Sequence, residues 1–522
     1  MADTGTPQRR VGLLGAAVTL TAASVATLLV NLVIQIQIAD YFGVGAAMDA
    51  YKAAMTIPQW LQFVAGSAVT LVLVPFFVTA FKADESRGWK AASVAANGML
   101  VTLAASVAVA AVAGRRLVGL VAPGLPPEQI ALAGRLFRLT LPVGVLLLLQ
   151  QVLVSLCHAR FRFVRPAAAT LLNGAAVIVC LAVLKRRMGI HVLPLALVVG
   201  TALASLIMLS LFVPRGRYRL TLSFRGTGLG RAALVALPVL IAIPVCQSET
   251  LAVTVAGSWY GEGVLSYLRY ANVLWMALMQ ATASGLGAAL FPFLSHAAAH
   301  ADRQALKERF TKGVSAMLYI TVPVAFIGLP LVQAMIEGLF QRGKFTADAV
   351  GPVAWLLILY LPAYIAWSLG TVTSSTIFSL RRTFEAGLLF VLAFAVFLAA
   401  LGVLLPLASF YAIAIAGSIH AVARLGVSWW LLRRALGRLG SLSLLKSLGG
   451  ILLSAAISAV AAYGLNVLLA RVTGLVLLPA VLAGLVGLGM YGCLTLFVFR
   501  SPVSQIVRER LAPLLRRRKG AA

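Results

Sequence analysis

Gly338-x4-Gly343-Lys344, in the stretch "GLFQRGKFTADA", is most of a phosphate-binding loop. In such a loop backbone N–H groups cradle the phosphates of a nucleotide and the lysine neutralises them. The chemistry also needs Ser or Thr directly after the lysine. Here Phe345 takes that place, and the hydroxyl arrives one residue late at Thr346. A phosphate loop further needs a preceding strand and a soluble α/β core, and the flanks of this stretch are long apolar runs. Gly343, Lys344, Phe345 and Thr346 are therefore expected to close one helix and open the next, without a nucleotide.

The remaining candidates are ionisable side chains in apolar surroundings. The 522 residues hold only 14 Asp and Glu, so an acid inside an apolar stretch stands out. A charge at mid-bilayer costs roughly 2.5–3.5 kcal/mol on insertion scales, so it normally faces a cavity or a partner. Glu249, in "PVCQSETLAV", follows Pro244, Gln247 and Ser248, which suggests a locally broken, wet helix. It reads either as a functional acid or as a structural partner for a cation such as Arg269. Asp49 and Lys52, three apart, share one face of a helix. They read as a cavity pair, or as an N-cap acid beside a snorkelling lysine. Arg269, next to Tyr270, reads as a cation for an anionic cargo or as an interfacial anchor. The five histidines and four cysteines lack metal-ligand spacing, so no metal or other cofactor is expected.

These side chains must be held by membrane helices. The chain is 61% hydrophobic and 11% charged, whereas soluble domains carry roughly 25% charged residues. A net charge of +29 would suggest nucleic acid in a soluble protein. Here it has a plainer source in Lys/Arg-rich cytoplasmic loops. Runs of about 20 apolar residues, enough to cross a bilayer, recur along the chain and predict about 14 spans. Six fall in residues 1–213, a basic linker follows at 214–231, and six more fall in 232–432. A second basic linker at 433–446 precedes a helix pair at 447–499 and a basic tail at 500–522. With the N-terminus inside, most of the 43 Lys and Arg fall in inner segments, which places both termini in the cytoplasm. "GLFQRGKFTADA" then lies outside, where ATP is absent.

"DAYKAAMTIPQWLQFVAGSAVTLVLVPFFV" and "LRYANVLWMALMQATASGLGAALFPFLS" are weakly alike: aromatic-polar entry, small residues, then Pro-Phe. Each falls on the second span of a six-helix block. The expected fold is an all-α polytopic membrane protein, with two six-helix lobes of like orientation around a central cavity and a C-terminal helix pair. Gln35 on the first span, Gln62 on the second and Asn272 on the eighth, with neighbouring polar and small residues, are expected to line that cavity.

At these residues the chain resembles the MurJ/MviN-type lipid II flippases of the multidrug/oligosaccharidyl-lipid/polysaccharide exporter superfamily. "DYFGVGAAMDAYKAAMTIP" is similar to the family's FG-x5-DA-[FY] segment, and "FRFVRPAAATLLNGAAVI" to its RF-x2-P…LLN entry to the fifth helix. "YANVLWMALMQATASGLGAALFPFLS" resembles its eighth helix, and "GLFQRGKFTADA" its LFQ-x-GKFT loop.

The resemblance implies a bacterial inner-membrane flippase, not an enzyme. Its cargo would be a polyprenyl-diphosphate-linked cell-wall precursor, most naturally lipid II of peptidoglycan biosynthesis. It would move from inner to outer leaflet by alternating access, with the last two helices helping to hold the lipid tail. Membrane potential, or a proton or sodium gradient, would drive the cycle, and membrane lipids and cell-wall synthesis proteins would be its neighbours. Neither nucleic acid nor nucleotide is implied. The chain departs from the family where Arg-Asp of the first helix reads Ile34-Gln35, where second-helix arginines read Gln62-Phe63, and where Asp-Arg of the eighth reads Asn272-Val273. Asp49 carries over directly, and Lys52 and Arg269 stand as displaced cations. The alternatives are a flippase for another lipid-linked polysaccharide, a drug-type exporter, or a non-transporting scaffold of the cell-wall machinery.

Overall fold

A computed structural model gives the chain its three-dimensional form. It describes residues 13–159, 164–212, 247–299, 302–380, 382–437 and 441–498, with isolated positions between these stretches. The first twelve residues, most of the 214–231 linker, the greater part of the expected seventh span and the 500–522 tail lie outside the described residues.

Helices make up the described chain, and no strand occurs among the described residues. In chain order they are α1 (Leu13–Phe42), α2 (Ala46–Ala83), α3 (Glu85–Val121), α4 (Pro127–Ala159), α5 (Val164–Met188) and α6 (Val192–Phe212). Then come α7 (Glu249–Ser258), α8 (Val264–Met279), α9 (Gly285–Ala299), α10 (Arg303–Phe340), α11 (Ala347–Leu359) and α12 (Leu361–Ser379). The last are α13 (Thr383–Ala408), α14 (Tyr411–Leu436), α15 (Ser441–Thr473) and α16 (Leu477–Cys493). Apolar side chains dominate all around many of them, which suits helices dissolved in lipid, where every backbone polar group must bond within its own helix. Among the described residues, eight helical stretches are long and apolar enough to cross a membrane, or nine if the bent pair α11–α12 forms one span. This is the all-α, multi-pass architecture that the apolar runs predict.

One helix expected to be straight is bent, and a second carries a π turn. The run 347–377 bends by 42° between α11 and α12. Pro362 explains the joint: it sits in the first turn of α12, where a missing N–H costs nothing, and cannot continue the helix before it. The run 265–294 passes through a π turn at Gln280–Ser284 between α8 and α9. This is the polar and small "QATAS" segment, and such turns concentrate at functional sites.

The chain forms two compact units. The first comprises residues 1–38, 53–121 and 126–247. Its core is Phe77 of α2, Trp89 of α3, Val152, Leu153 and Leu156 of α4, and Met208 of α6. Part of the 214–231 linker is fastened to α3: Asn97 Nδ2 donates to the Thr221 carbonyl at 3.0 Å, and the Tyr218 hydroxyl donates to Asn97 Oδ1.

The second unit comprises residues 39–52, 122–125 and 248–522. Phe310 and Met317 of α10, Val372 of α12 and Leu432 of α14 centre its main core. A second cluster joins Val322, Ile327 and Leu331 of α10 to Ile451, Ala455 and Ala462 of α15. The Tyr491 hydroxyl of α16 adds a hydrogen bond to the Tyr319 carbonyl at 3.0 Å. The C-terminal pair α15–α16 is thus packed into this unit along α10. The end of α1 and the first turns of α2 also belong to the unit, and there the candidate residues begin to converge.

Candidate functional site

Within the second unit, two of the segments singled out by their residue types come together. α1 ends at Phe42, and Gly43 turns the chain with φ +60°. Gly343 makes the corresponding turn after α10 with φ +53°. The Lys344 amide donates to the Asp40 carbonyl at 3.0 Å. A Cβ on Gly43 would overlap the Lys344 carbonyl, and one on Gly343 would overlap Asp40. Both positions need glycine twice over, for the left-handed backbone and for the close approach. Phe345, 1% exposed, packs its ring 5.2 Å from Tyr270 and 5.8 Å from Phe340. The Tyr270 hydroxyl donates to the Gly43 carbonyl at 2.9 Å. Thr346 is the N-cap of α11 in extended backbone, so the loop does close one helix and open the next. Its amides at Lys344 and Phe345 are spent on the Asp40 and Arg342 carbonyls, and no phosphate cradle is formed.

A second joint lies beside it. Asp49, in the first turn of α2, accepts from the Gly263 amide at 2.5 Å, the Ser266 amide at 2.8 Å and the Ser266 hydroxyl at 2.6 Å. These are the free donors at the start of α8, so Asp49 caps a helix 214 residues further along the chain. Glu262 returns the arrangement, its Oε1 accepting from the Ala46 amide at the start of α2 at 2.9 Å. Each helix start is capped by a carboxylate from the segment leading the other, and each carboxylate also meets the positive end of the helix dipole. The sequence allows Asp49 a place in the cavity or a capping role; it is 0% exposed and engaged by three donors at the start of α8. These bonds hold the start of α2 to the start of α8.

Lys52 follows Asp49 by one turn and is within electrostatic range of Arg269. The Arg269 guanidinium lies 6.0 Å from the Tyr51 ring centre and 5.4 Å from that of Tyr270. Asn272, one turn along α8 from Arg269, is exposed. The structure therefore brings Lys52, Arg269 and Asn272 into one neighbourhood on the starts of α2 and α8. Gln35 and Gln62 are half-buried on α1 and α2 and belong to the first unit.

Glu249 lies apart from these cations, and its partner is not Arg269. Its Oε2 stands 3.2 Å from Nδ1 of His420 on α14. Two helices have to meet for that contact, and 171 residues separate the pair, so nothing local in the sequence marks His420. Ser248, just before Glu249, is in a turn with helical backbone angles, φ −69° and ψ −11°, and its carbonyl accepts from the Ala252 amide at 3.0 Å. Two further groups escaped the sequence reading. The buried Tyr364 hydroxyl pairs with Thr282 Oγ1 at 2.8 Å and ties α12 to the π turn. Arg424 lies between Trp367 and Phe390, 4.1 and 4.4 Å from their ring centres. A run of polar residues at 280–284 was the signal for the first; aromatic residues dispersed over α12 and α13 gave none for the second.

Comparison with known proteins places this geometry. The family described as "Lipid II flippase MurJ" matches residues 38–484. The lipid II flippase MurJ of Burkholderia cenocepacia is 28% identical over 337 residues, covering 62% of this chain and 65% of the relative. A probable lipid II flippase MurJ of Thermotoga maritima is 24% identical over 332 residues, covering 63% and 66%. The matched stretch thus spans a little under two thirds of the length of these relatives. Among solved structures, a lipid II flippase MurJ in an inward closed conformation superposes with a TM-score of 0.77 at 18% identity, covering 91% of this chain and 98% of that one. An inward-facing multidrug resistance MATE family transporter of the MOP superfamily gives 0.68 at 16% identity, covering 81% and 99%. At those identities the two likenesses speak for the fold alone.

Proposed function

The chain belongs to the MurJ lipid II flippase family, and from that premise we propose that it carries lipid II from the inner to the outer leaflet by alternating access. The observation that carries the reading is the family match across residues 38–484, which takes in both marker segments and the joint they build. The chemistry agrees with it. A diphosphate needs cations, and Lys52 and Arg269 stand together at the start of α2 and α8. Arg269 offers a planar fork suited to paired phosphate oxygens, and Lys52 a mobile point charge. Asn272 adds an exposed amide one turn away for the sugar or phosphate oxygens. Gln35 and Gln62, half-buried on α1 and α2, are assigned to cargo contact within the first unit. The long apolar flank of α15 and α16, with Val460, Leu468, Leu482 and Leu485 exposed, is assigned to the polyprenyl tail.

The protein sits in the bacterial inner membrane on this reading, with both termini in the cytoplasm by the distribution of its Lys and Arg. A second reading, a flippase for a different polyprenyl-linked glycan, draws on Gln35, Gln62 and Asn272 standing where family members usually carry charge. Depleting the host's own flippase while expressing this chain, and assaying lipid II at the outer leaflet, separates the two. Restored exposure supports lipid II as cargo. Normal expression without restored exposure rejects it and favours the other glycan.

A further inference from the structure

Glu249 and His420 lie at matching depth. Glu249 is nine residues before the end of α7 at Ser258, and His420 nine after the start of α14 at Tyr411. At 1.5 Å per residue each is about 14 Å in from its helix end. The hydrocarbon core is ~30 Å thick, so the pair falls near its middle. The carboxylate and the imidazole are 3.2 Å apart, 27% and 6% exposed, in contact at ion-pair distance but without hydrogen-bond alignment at Nδ1. Trp367 of α12 and Phe397 of α13 flank the imidazole, with ring centres 6.0 and 5.9 Å away.

Among the described residues, two more ionisable groups face this pair. Tyr360, at the α11–α12 bend, is close enough to feel the Glu249 charge and borders the same small residue, Gly417. Arg424, one turn beyond His420, has its guanidinium on the Trp367 and Phe390 rings, with Nη2 3.5 Å from the Ser374 hydroxyl.

We infer that Glu249 and His420 form a proton-carrying pair that couples translocation to the proton gradient; the coupling rests on the flippase reading above. With one proton the pair is neutral overall, written either as carboxylate with imidazolium or as carboxylic acid with imidazole. Without it a single negative charge stands at mid-bilayer, the state that a membrane protein most strongly avoids. The pair therefore takes up one proton, and its release leaves Glu249 charged and His420 neutral. The more exposed carboxylate is the point of exchange. An alkali cation would be held by several oxygen atoms, for which an imidazole nitrogen is a poor substitute, whereas a proton suits both partners.

The test uses the full chain in two preparations. In lipid nanodiscs, infrared difference spectra across a pH titration follow carboxyl protonation in the wild type, Glu249→Gln and His420→Gln. The expected result is a carboxyl band that disappears in Glu249→Gln and titrates at a different pH in His420→Gln. A band unchanged by either substitution overturns the pair, whatever the cargo. In proteoliposomes holding lipid II, with the potential clamped by potassium and valinomycin, a pH gradient should accelerate wild-type translocation. The ratio of rates with and without the gradient should fall to one in both variants. A wild-type rate that responds to sodium or to potential but not to the pH gradient overturns the coupling, as does a variant that keeps the wild-type ratio. His420→Asn provides a second imidazole-free variant should His420→Gln fail to fold. If the infrared result holds and no lipid II moves, the proton pair stands and the cargo assignment is what fails.

Discussion

The Lys344 amide donates to the Asp40 carbonyl at 3.0 Å, joining the loop after α10 to the end of α1 across about 300 residues of sequence. The two segments that most clearly mark the family, "DYFGVG" and "LFQRGKFT", are the two halves of this contact. Their glycines serve it directly: Gly43 and Gly343 turn with positive φ where each backbone leaves no room for a Cβ on the other.

Alanine at either glycine should therefore destabilise the protein. Left-handed backbone alone costs a non-glycine residue roughly 1–3 kcal/mol, and displacement of the facing carbonyl adds to it. Thermal unfolding in detergent should show a lower Tm for Gly43→Ala and for Gly343→Ala. A Tm equal to that of the wild type in both would mean that this joint is not held as described.

Asp49→Ala removes the acceptor for the Gly263 amide and for the Ser266 amide and hydroxyl. Loss of an N-cap costs about 0.5–2 kcal/mol, and buried donors left without partners add about 1–3 kcal/mol. Glu262→Gln should cost less, because the amide oxygen still accepts from Ala46. A double-mutant cycle on the two caps should give a non-zero coupling energy, since both hold the same pair of helix starts. Additive effects would show that the two caps act independently.

Neutralising the cations separates cargo binding from structure. Lys52→Gln and Arg269→Gln should each weaken lipid II binding by about 10- to 100-fold, the worth of one charge-assisted hydrogen bond of about 1.5–3 kcal/mol. Arg269→Lys should recover only part of it, because an ammonium cannot reproduce the forked contact or the stacking on Tyr51 and Tyr270. Native mass spectrometry with lipid II and with an uncharged polyprenol reads the difference. Equal losses for both lipids would assign these residues to folding instead of the diphosphate.

Tyr364→Phe deletes the hydroxyl that meets Thr282 in the π turn while keeping the buried ring. A stability loss of about 1 kcal/mol is expected, with a matching loss in Thr282→Val and little further loss when the two are combined. Fully additive losses would exclude the hydrogen bond as the link between α12 and the turn.

Much of this molecule is determined locally. Apolar runs long enough to cross the membrane fix an all-α, multi-pass chain, because lipid accepts only helices whose backbone bonds are internal. Gly343-Lys344-Phe345-Thr346 is readable as a helix-to-helix turn. The spacing of Asp49 and Lys52 puts both on one face of α2. What the sequence could not contain is which distant group each polar atom meets. Asp49 meets Gly263 and Ser266, and Glu249 meets His420, not Arg269. Periodicity and capping rules describe a backbone over a few turns. A partner over a hundred residues away is chosen by which helices pack together, and only tertiary structure makes that choice.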